Sequence, residues 1–468
     1  MRNQRLSGQF IKALGIFGSL EALKILCSVV RTKLVALWIG TAGVGVISLY
    51  NSTLEMLKCM TLLNLRQSSV PAIAGEKEEE KRKHICRYVD MLGLLIGIGA
   101  TILVIILSPL LSYLTFESYD YAWGFAILAP TMLATSIGDA RTAILQGLGQ
   151  LRAIARASLY AVVASTAVAI PLFYWFRMAA IVPVLVIFPV FTTLFIFMMA
   201  EGKIKYPPHD ARLFKSTVRS LIKLGSYLAI GITLGFTADY ILRVYLNWDA
   251  GVDTVGLFQS GYTIVKSYVG IFFTAITMEF FPRLSATINR RRYSSVIVSH
   301  EISMSLWILM PIIVIFISFG DLIVNILYSK AFIEIVPYII IAVTGTVLKA
   351  VSWCLSYVIV AKGDGKVYIF TEFISAAGLL AFSIPGWCFG GFAGLGWAYV
   401  CEFVLFTAAT WAICRFKYRI IISARVWRVI FFALLMCFSA LFLRIYVAWW
   451  AALLPLVPIG VAAFMRRS

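Results

Sequence analysis

The chain has 468 residues, of which 61% are hydrophobic and 13% charged. Soluble domains carry about 25% charged residues, so the composition excludes an ordinary soluble protein and defines a polytopic membrane protein. The net charge of +19 would suit a nucleic-acid binder. However, the basic residues sit in short segments between apolar runs, which is the signature of membrane topology, and no nucleic-acid partner is expected.

Apolar runs near the length that crosses a bilayer occur at 10–36, 43–68, 88–114, 120–144, 154–175, 179–200, 217–244, 253–281, 297–320, 332–361, 367–387, 391–413, 427–445 and 447–465. The expected fold is therefore all-α, with about 14 transmembrane helices. The first run follows a basic Met1–Arg5, is interrupted by Lys12, Glu21 and Lys24, and is too long for a signal core, so it reads as a retained helix. The segments between runs alternate in charge. One side holds 29 basic residues and the other only Arg177, Arg243, Lys330 and Arg444. This asymmetry places both termini in the cytoplasm. The last two runs read as a tight hairpin, because a single span over 427–465 would put Arg466 and Arg467 outside.

Along the first run Glu21, Lys24, Ser28 and Arg31 recur at steps of three or four and share one helix face. Each charge at mid-bilayer costs about 2.5–3.5 kcal/mol on insertion scales. That face must line a wet or protein-filled interior.

Beyond the 29 and the four assigned to the two sides, eight basic residues fall within runs: Lys12, Lys24, Arg31, Lys33, Lys58, Arg66, Lys266 and Lys349. Lys12, Lys33 and Arg66 lie close enough to an interface to snorkel. Lys24, Lys58, Lys266 and Lys349 lie near mid-span, where cavity lining and structural pairing compete. Glu21 precedes Lys24 by three residues and Glu55 precedes Lys58 by three, so each pair can neutralise itself on one helix. Lys266 and Lys349 have no local acid. Each needs a carboxylate from another helix or an anionic ligand, for which phosphate oxygens are strong partners. Asp239 is a candidate for proton or sodium coupling, or an i,i+4 partner of Arg243. Aromatic residues such as Trp38, Trp175, Trp248 and Trp450 mark the outer interface.

The eight cysteines are scattered without a CxxC, and the three histidines do not cluster, so neither a disulfide framework nor a metal site is expected. Gly147-Leu148-Gly149 and Gly363-Asp364-Gly365 lack the strand and lysine of a phosphate loop. No cofactor is expected beyond a coupling proton or sodium ion.

The chain repeats itself. Gly43-Val44-Gly45 corresponds to the segment ending at Gly256, and Pro71 to Pro282, both at an offset of 211 residues. A second echo relates Gly147 to Gly363 at an offset of 216. Runs 1–6 thus recur as runs 7–12 in the same orientation, as in transporters that rock two bundles about a central site. The expected domains are an N-terminal six-helix bundle (1–205), a C-terminal six-helix bundle (206–415) and an extra transmembrane hairpin (416–468).

A basic N-terminus, a polar first helix, a Gly-x-Gly turn into the second run, prolines closing runs 2 and 8 and a Gly-x-Gly turn after run 4 together resemble the MOP flippase superfamily. Over about residues 8–415 the chain is most similar to its polysaccharide-transporter branch, relatives of the lipid II flippases and the MATE exporters. The resemblance implies an inner-membrane flippase, not an enzyme. It would carry undecaprenyl-diphosphate-linked oligosaccharide, such as an O-antigen unit, to the outer leaflet by alternating access. The partners implied are that lipid-linked oligosaccharide, membrane lipid, and a polysaccharide polymerase with other assembly proteins. The lipid II branch places cations in helices 1, 2 and 8, and Lys24, Arg31, Lys58 and Lys266 lie in the corresponding runs; Lys349 joins them by depth. The alternative is a MATE-like exporter of small organic cations that uses Glu21, Glu55 and Asp239. A membrane glycosyltransferase ranks last, because the outer connections are short.

Overall fold

The computed structural model describes residues 2–200 and 211–465. Among them every long element is a helix: α1 (Arg2–Thr61), α2 (Leu65–Gly75), α3 (Glu79–Phe116), α4 (Ala122–Leu128), α5 (Pro130–Gly147), α6 (Leu151–Phe176), α7 (Ile181–Met199), α8 (Ala211–Tyr262), α9 (Gly270–Thr287), α10 (Arg291–Ser318), α11 (Gly320–Leu327), α12 (Val336–Lys362), α13 (Gly365–Ala412), α14 (Ala424–Tyr446) and α15 (Leu456–Met465).

Among the described residues eight helical segments are long and apolar enough to cross a membrane. The expected number was about 14, and the difference has a physical cause. Several expected hairpins run on as one helix apart from a single reversed residue. Gly40 (φ 66°, ψ −163°) interrupts α1, Gly251 (φ 84°, ψ 171°) interrupts α8, and Gly391 (φ 52°, ψ −131°) interrupts α13. These backbone angles are open to glycine and strained for other residues. The chain reverses there. A Cβ on Gly394 would lie 1.8 Å from the Gly386 carbonyl oxygen, whereas eight residues of straight helix span about 12 Å. The fourth run divides into α4 and α5 at Pro130, as a proline without its N–H starts a new helix. The last run does not form a membrane-length helix: α15 has 10 described residues, about 15 Å, preceded by a short 3₁₀ turn at Ala451–Leu453.

The chain divides into two compact units, Met1–Phe236 and Thr237–Ser468. The same backbone devices recur in both. Gly40 and Gly251 are 211 residues apart, the offset read from the sequence. The left-handed glycines after the fourth and tenth runs are Gly149 (φ 77°) and Gly363 (φ 68°), so the second echo is 214 residues and the expected pairing of Gly147 with Gly363 is off by two. Arg177 (φ 48°, ψ −119°) stands 214 residues before Gly391 in nearly the same conformation.

In the first unit α3 packs on α5 through small residues. Ser136 Oγ donates to the Gly93 carbonyl at 2.6 Å, and a Cβ on Gly93 would meet the Ala140 Cβ at 2.6 Å. Close backbone approach through small residues replaces the hydrophobic drive that lipid removes. In the second unit α12 is the central post, buried along most of its length against α13 and α10. The extra helix α14 lies on α10 and is pinned at both ends. The Ile421 and Ser423 amides donate to Ser295 Oγ and Ser299 Oγ at 3.1 and 3.2 Å, and Arg444 pairs with Asp321.

Candidate functional site

The reversal at Gly251 folds α8 back on itself. Asp239 and Arg243 of its first limb thereby meet Gln259, Tyr262 and Lys266 of the returning limb. Tyr262 Oη donates to Asp239 Oδ2 at 2.7 Å, and Lys266 Nζ lies 3.1 Å from the same oxygen and contacts the Tyr262 hydroxyl. Arg243 is almost fully buried. Its Nε and NH2 donate to Gln259 Oε1 at 3.2 and 3.0 Å, and its NH1 donates to the Asp239 carbonyl at 2.8 Å. The guanidinium also lies 4.7 Å from the Tyr262 ring centroid. Lys266 sits in a π-helical turn, Thr263–Tyr268, an irregularity frequent at functional sites.

Lys266 therefore has the carboxylate partner that its own helix lacked, supplied from 27 residues earlier. Of the two alternatives left open by the sequence, a carboxylate from another helix or an anionic ligand, the first is present; hairpin packing, invisible to local spacing, supplies it. The pairing of Asp239 with Arg243 is present too, at 3.8 Å. Despite this clasp, 49% of the Lys266 side-chain surface stays accessible, against 13% for Asp239.

Lys349, on α12, has a different environment. It is buried, donates to Tyr399 Oη at 3.3 Å, and lies 5.6, 5.9 and 5.7 Å from the ring centroids of Phe273, Tyr399 and Phe403. An aromatic cage is a third way to hold a desolvated ammonium, alongside a carboxylate or a ligand. No carboxylate forms an ion pair with it among the described residues. Glu402 on α13 is buried, accepts from Ser375 Oγ at 3.3 Å and interacts electrostatically with Lys349 and Lys266. Glu402 is not among the residues the sequence singles out, and Arg243, counted there among the outer-side charges and as a possible partner of Asp239, is buried. A lone carboxylate within run 391–413 was the available signal for the first.

In the first unit Lys58 Nζ is 2.9 Å from Glu55 Oε1, the i,i+3 pair that the spacing allows. Arg31 lies 5.9 Å from the Phe188 ring centroid. The side chains of Glu21 and Lys24 lie outside those the structure describes, so the charged stripe is described only at its Arg31 end. Beyond Lys58 the helix breaks at Leu63 and Asn64, both left-handed (φ 49° and 46°), and resumes as α2. The break brings Glu55, Lys58, Arg66, Thr135 and Asp139 to the wall of one cavity of about 320 Å³.

Among the described residues both units are all-helical, with matching backbone reversals and charged groups held inside apolar helices. The chain belongs to the family described as polysaccharide biosynthesis protein, whose model matches residues 72–337. Among solved structures it is similar to the lipid II flippase MurJ in an inward closed conformation (TM-score 0.74, 14% identity, 96% of this chain and 97% of that one). It is also similar to an inward-facing MATE multidrug resistance transporter (TM-score 0.71, 14% identity, 85% and 94%). A third is a MOP superfamily transporter from Pyrococcus furiosus (TM-score 0.62, 15% identity, 86% and 93%). No curated protein matches the chain in sequence.

Proposed function

We propose that this protein is an inner-membrane flippase for polyprenyl-diphosphate-linked oligosaccharide, built as two six-helix bundles (1–205 and 206–415) with an added C-terminal segment (416–468) of one long helix, α14, and the short α15, and with both termini cytoplasmic. The observation that carries the reading is the partly accessible side chain of Lys266. Asp239 and Tyr262 fix it within an apolar helix, yet half of its side chain is uncovered. A cation in that position cannot face lipid; it faces an aqueous vestibule and meets an anionic head group by charge-assisted hydrogen bonds. Lys24, Arg31, Lys58 and Lys349 complete the set of cations. Binding biases the switch between inward and outward states only as far as these contacts differ between them.

Coupling to a proton or sodium ion is assigned to Asp239, with Glu55 and Glu21 as the first-unit candidates. The MATE-like alternative requires a carboxylate free for an organic cation. Asp239 is committed to two basic side chains and a tyrosine, which supports the anionic substrate. The partners in this reading are the lipid-linked oligosaccharide, bilayer lipid, and a polymerase of the same assembly line.

The test is reconstituted movement of a polyprenyl-diphosphate-linked oligosaccharide in liposomes. Lys266→Ala and Lys349→Ala are each expected to lower the rate at least about tenfold, the loss of one charge-assisted contact. Wild-type rates from both variants end the proposal, and protection of cells from cationic dyes replaces it with the exporter.

A further inference from the structure

The cavity of the first unit has a composition that does not fit a diphosphate. Its walls carry two cations, Lys58 and Arg66, and two carboxylates, Glu55 and Asp139, so its formal charge is zero. Lys58 is already paired with Glu55 at 2.9 Å. Arg66 NH2 donates to the Gln146 side-chain oxygen at 3.4 Å. Asp139 has no hydrogen bond or ion pair among the described residues, and an anionic ligand placed beside it would be repelled. Two more wall residues have idle donors: the Asn64 amide nitrogen and the Thr135 hydroxyl are buried without a hydrogen-bond partner. Leu62, Leu65, Ala229 and Ile232 supply apolar surface between the polar groups.

We infer that this cavity is a glycosyl subsite, which takes a neutral hydroxyl-rich ring through Asp139, Asn64 and Thr135, while the diphosphate is held elsewhere by Lys24, Arg31, Lys266 and Lys349; Lys58, neutralised by Glu55 on the cavity wall, then serves the sugar subsite and not the diphosphate. The inference rests on the proposed flippase reading and deepens it. A sugar ring presents donors and acceptors in equal measure on an otherwise aliphatic frame. Asp139 accepts from two neighbouring hydroxyls, Asn64 and Thr135 donate to ring or carbonyl oxygens, and the leucines cover C–H faces. Groups that are buried without partners are costly until a ligand satisfies them. The volume of about 320 Å³ lies at the lower end of the range for small-molecule pockets, about 300–1,000 Å³, which fits one or two rings rather than a whole repeat unit. The break at Leu63 and Asn64 is what builds the site, because continuous helix would carry Arg66 and Asn64 onto other faces.

The experiment uses the full chain in lipid nanodiscs and two probes: a short polyprenyl diphosphate bearing one hexose or N-acetylhexosamine, and the same polyprenyl diphosphate without sugar. Asp139→Asn is expected to weaken the glycosylated probe about tenfold, the value of one hydrogen bond to a charged acceptor, and to change the sugar-free probe less than about twofold. Thr135→Val, close in shape, is expected to weaken the glycosylated probe about three- to tenfold. Thermal unfolding of each variant checks that the fold is retained. Equal loss on both probes overturns the inference, because the cavity then reads the diphosphate; no loss on either probe overturns it too. Failure of the wild type to bind both probes instead removes the flippase reading on which the inference stands.

Discussion

Lys266 Nζ and Asp239 Oδ2 lie 3.1 Å apart across the glycine reversal in α8. The two are not equivalent members of the pair. Asp239 is nearly buried and also accepts from Tyr262 and faces Arg243, whereas Lys266 keeps half its surface uncovered. Losing Asp239 leaves two cations uncompensated. Asp239→Ala is expected to cost about 3 kcal/mol of stability or more, since it breaks a buried charged network. Lys266→Ala leaves Arg243 with the carboxylate and is expected to cost about 1 kcal/mol. Thermal unfolding in detergent of both variants checks the order, and the reverse order would show that Lys266 is the buried anchor.

Lys349 separates stability from function. Its ammonium is buried among three rings with one tyrosine hydroxyl as partner. A methionine of similar length packs well against aromatic faces and removes a desolvated charge. Replacing such a charge with an apolar residue is often neutral or stabilising by about 1–4 kcal/mol. Lys349→Met is expected to melt no lower than the wild type while transport of the lipid-linked substrate falls at least about tenfold. A lower melting point would mean that the cage itself depends on the charge.

Glycine and alanine should exchange their usual ranking at the backbone reversals. The Arg177 backbone (φ 48°, ψ −119°) matches that of Gly391, and Arg177 NH1 donates to the Trp38 carbonyl at 3.2 Å. Non-glycine residues in such regions store about 1–3 kcal/mol of strain. Arg177→Ala loses the hydrogen bond and keeps the strain, whereas Arg177→Gly loses the bond and releases the strain. The glycine variant is expected to be the more stable by about 1 kcal/mol, after its greater unfolded-chain entropy is subtracted. Gly40→Ala and Gly251→Ala should each be destabilising by about 1–3 kcal/mol, although a Cβ at either site meets nothing within 4 Å.

The turn between α12 and α13 carries an acid-sensitive latch. Asp364 accepts from Lys417 Nζ at 2.6 Å, Tyr418 Oη at 3.2 Å and the Val367 amide at 3.3 Å. The Lys417 hydrogen bond, ahead of the other contacts, holds its carboxyl below the usual value. A carboxyl depressed in the folded state stabilises above its unfolded value, near 3.9, and that contribution is lost as pH falls through the lower folded value. The wild type is therefore expected to exceed Asp364→Asn in stability at neutral pH, by less than about 1 kcal/mol because the pair is solvent-exposed. The two should converge below about pH 4. Melting curves from pH 3 to 7 check this, and a gap that persists at pH 3 excludes the latch.

The sequence by itself determined the membrane class, the all-helical fold and the 211-residue repeat. Each depends on local composition or on like residues recurring along the chain. It also determined the Glu55–Lys58 pair, because i,i+3 contacts follow from helix geometry alone. Only the tertiary structure decided which carboxylate meets Lys266, that Lys349 sits in an aromatic cage, that Arg243 is buried, and that Asn64, Thr135 and Asp139 share a cavity wall. Those facts depend on where single reversed residues such as Gly251 and a two-residue break at Leu63–Asn64 fold helices back on one another. Hydropathy is nearly blind to such points, because one residue out of its helical well leaves the apolar run around it unchanged.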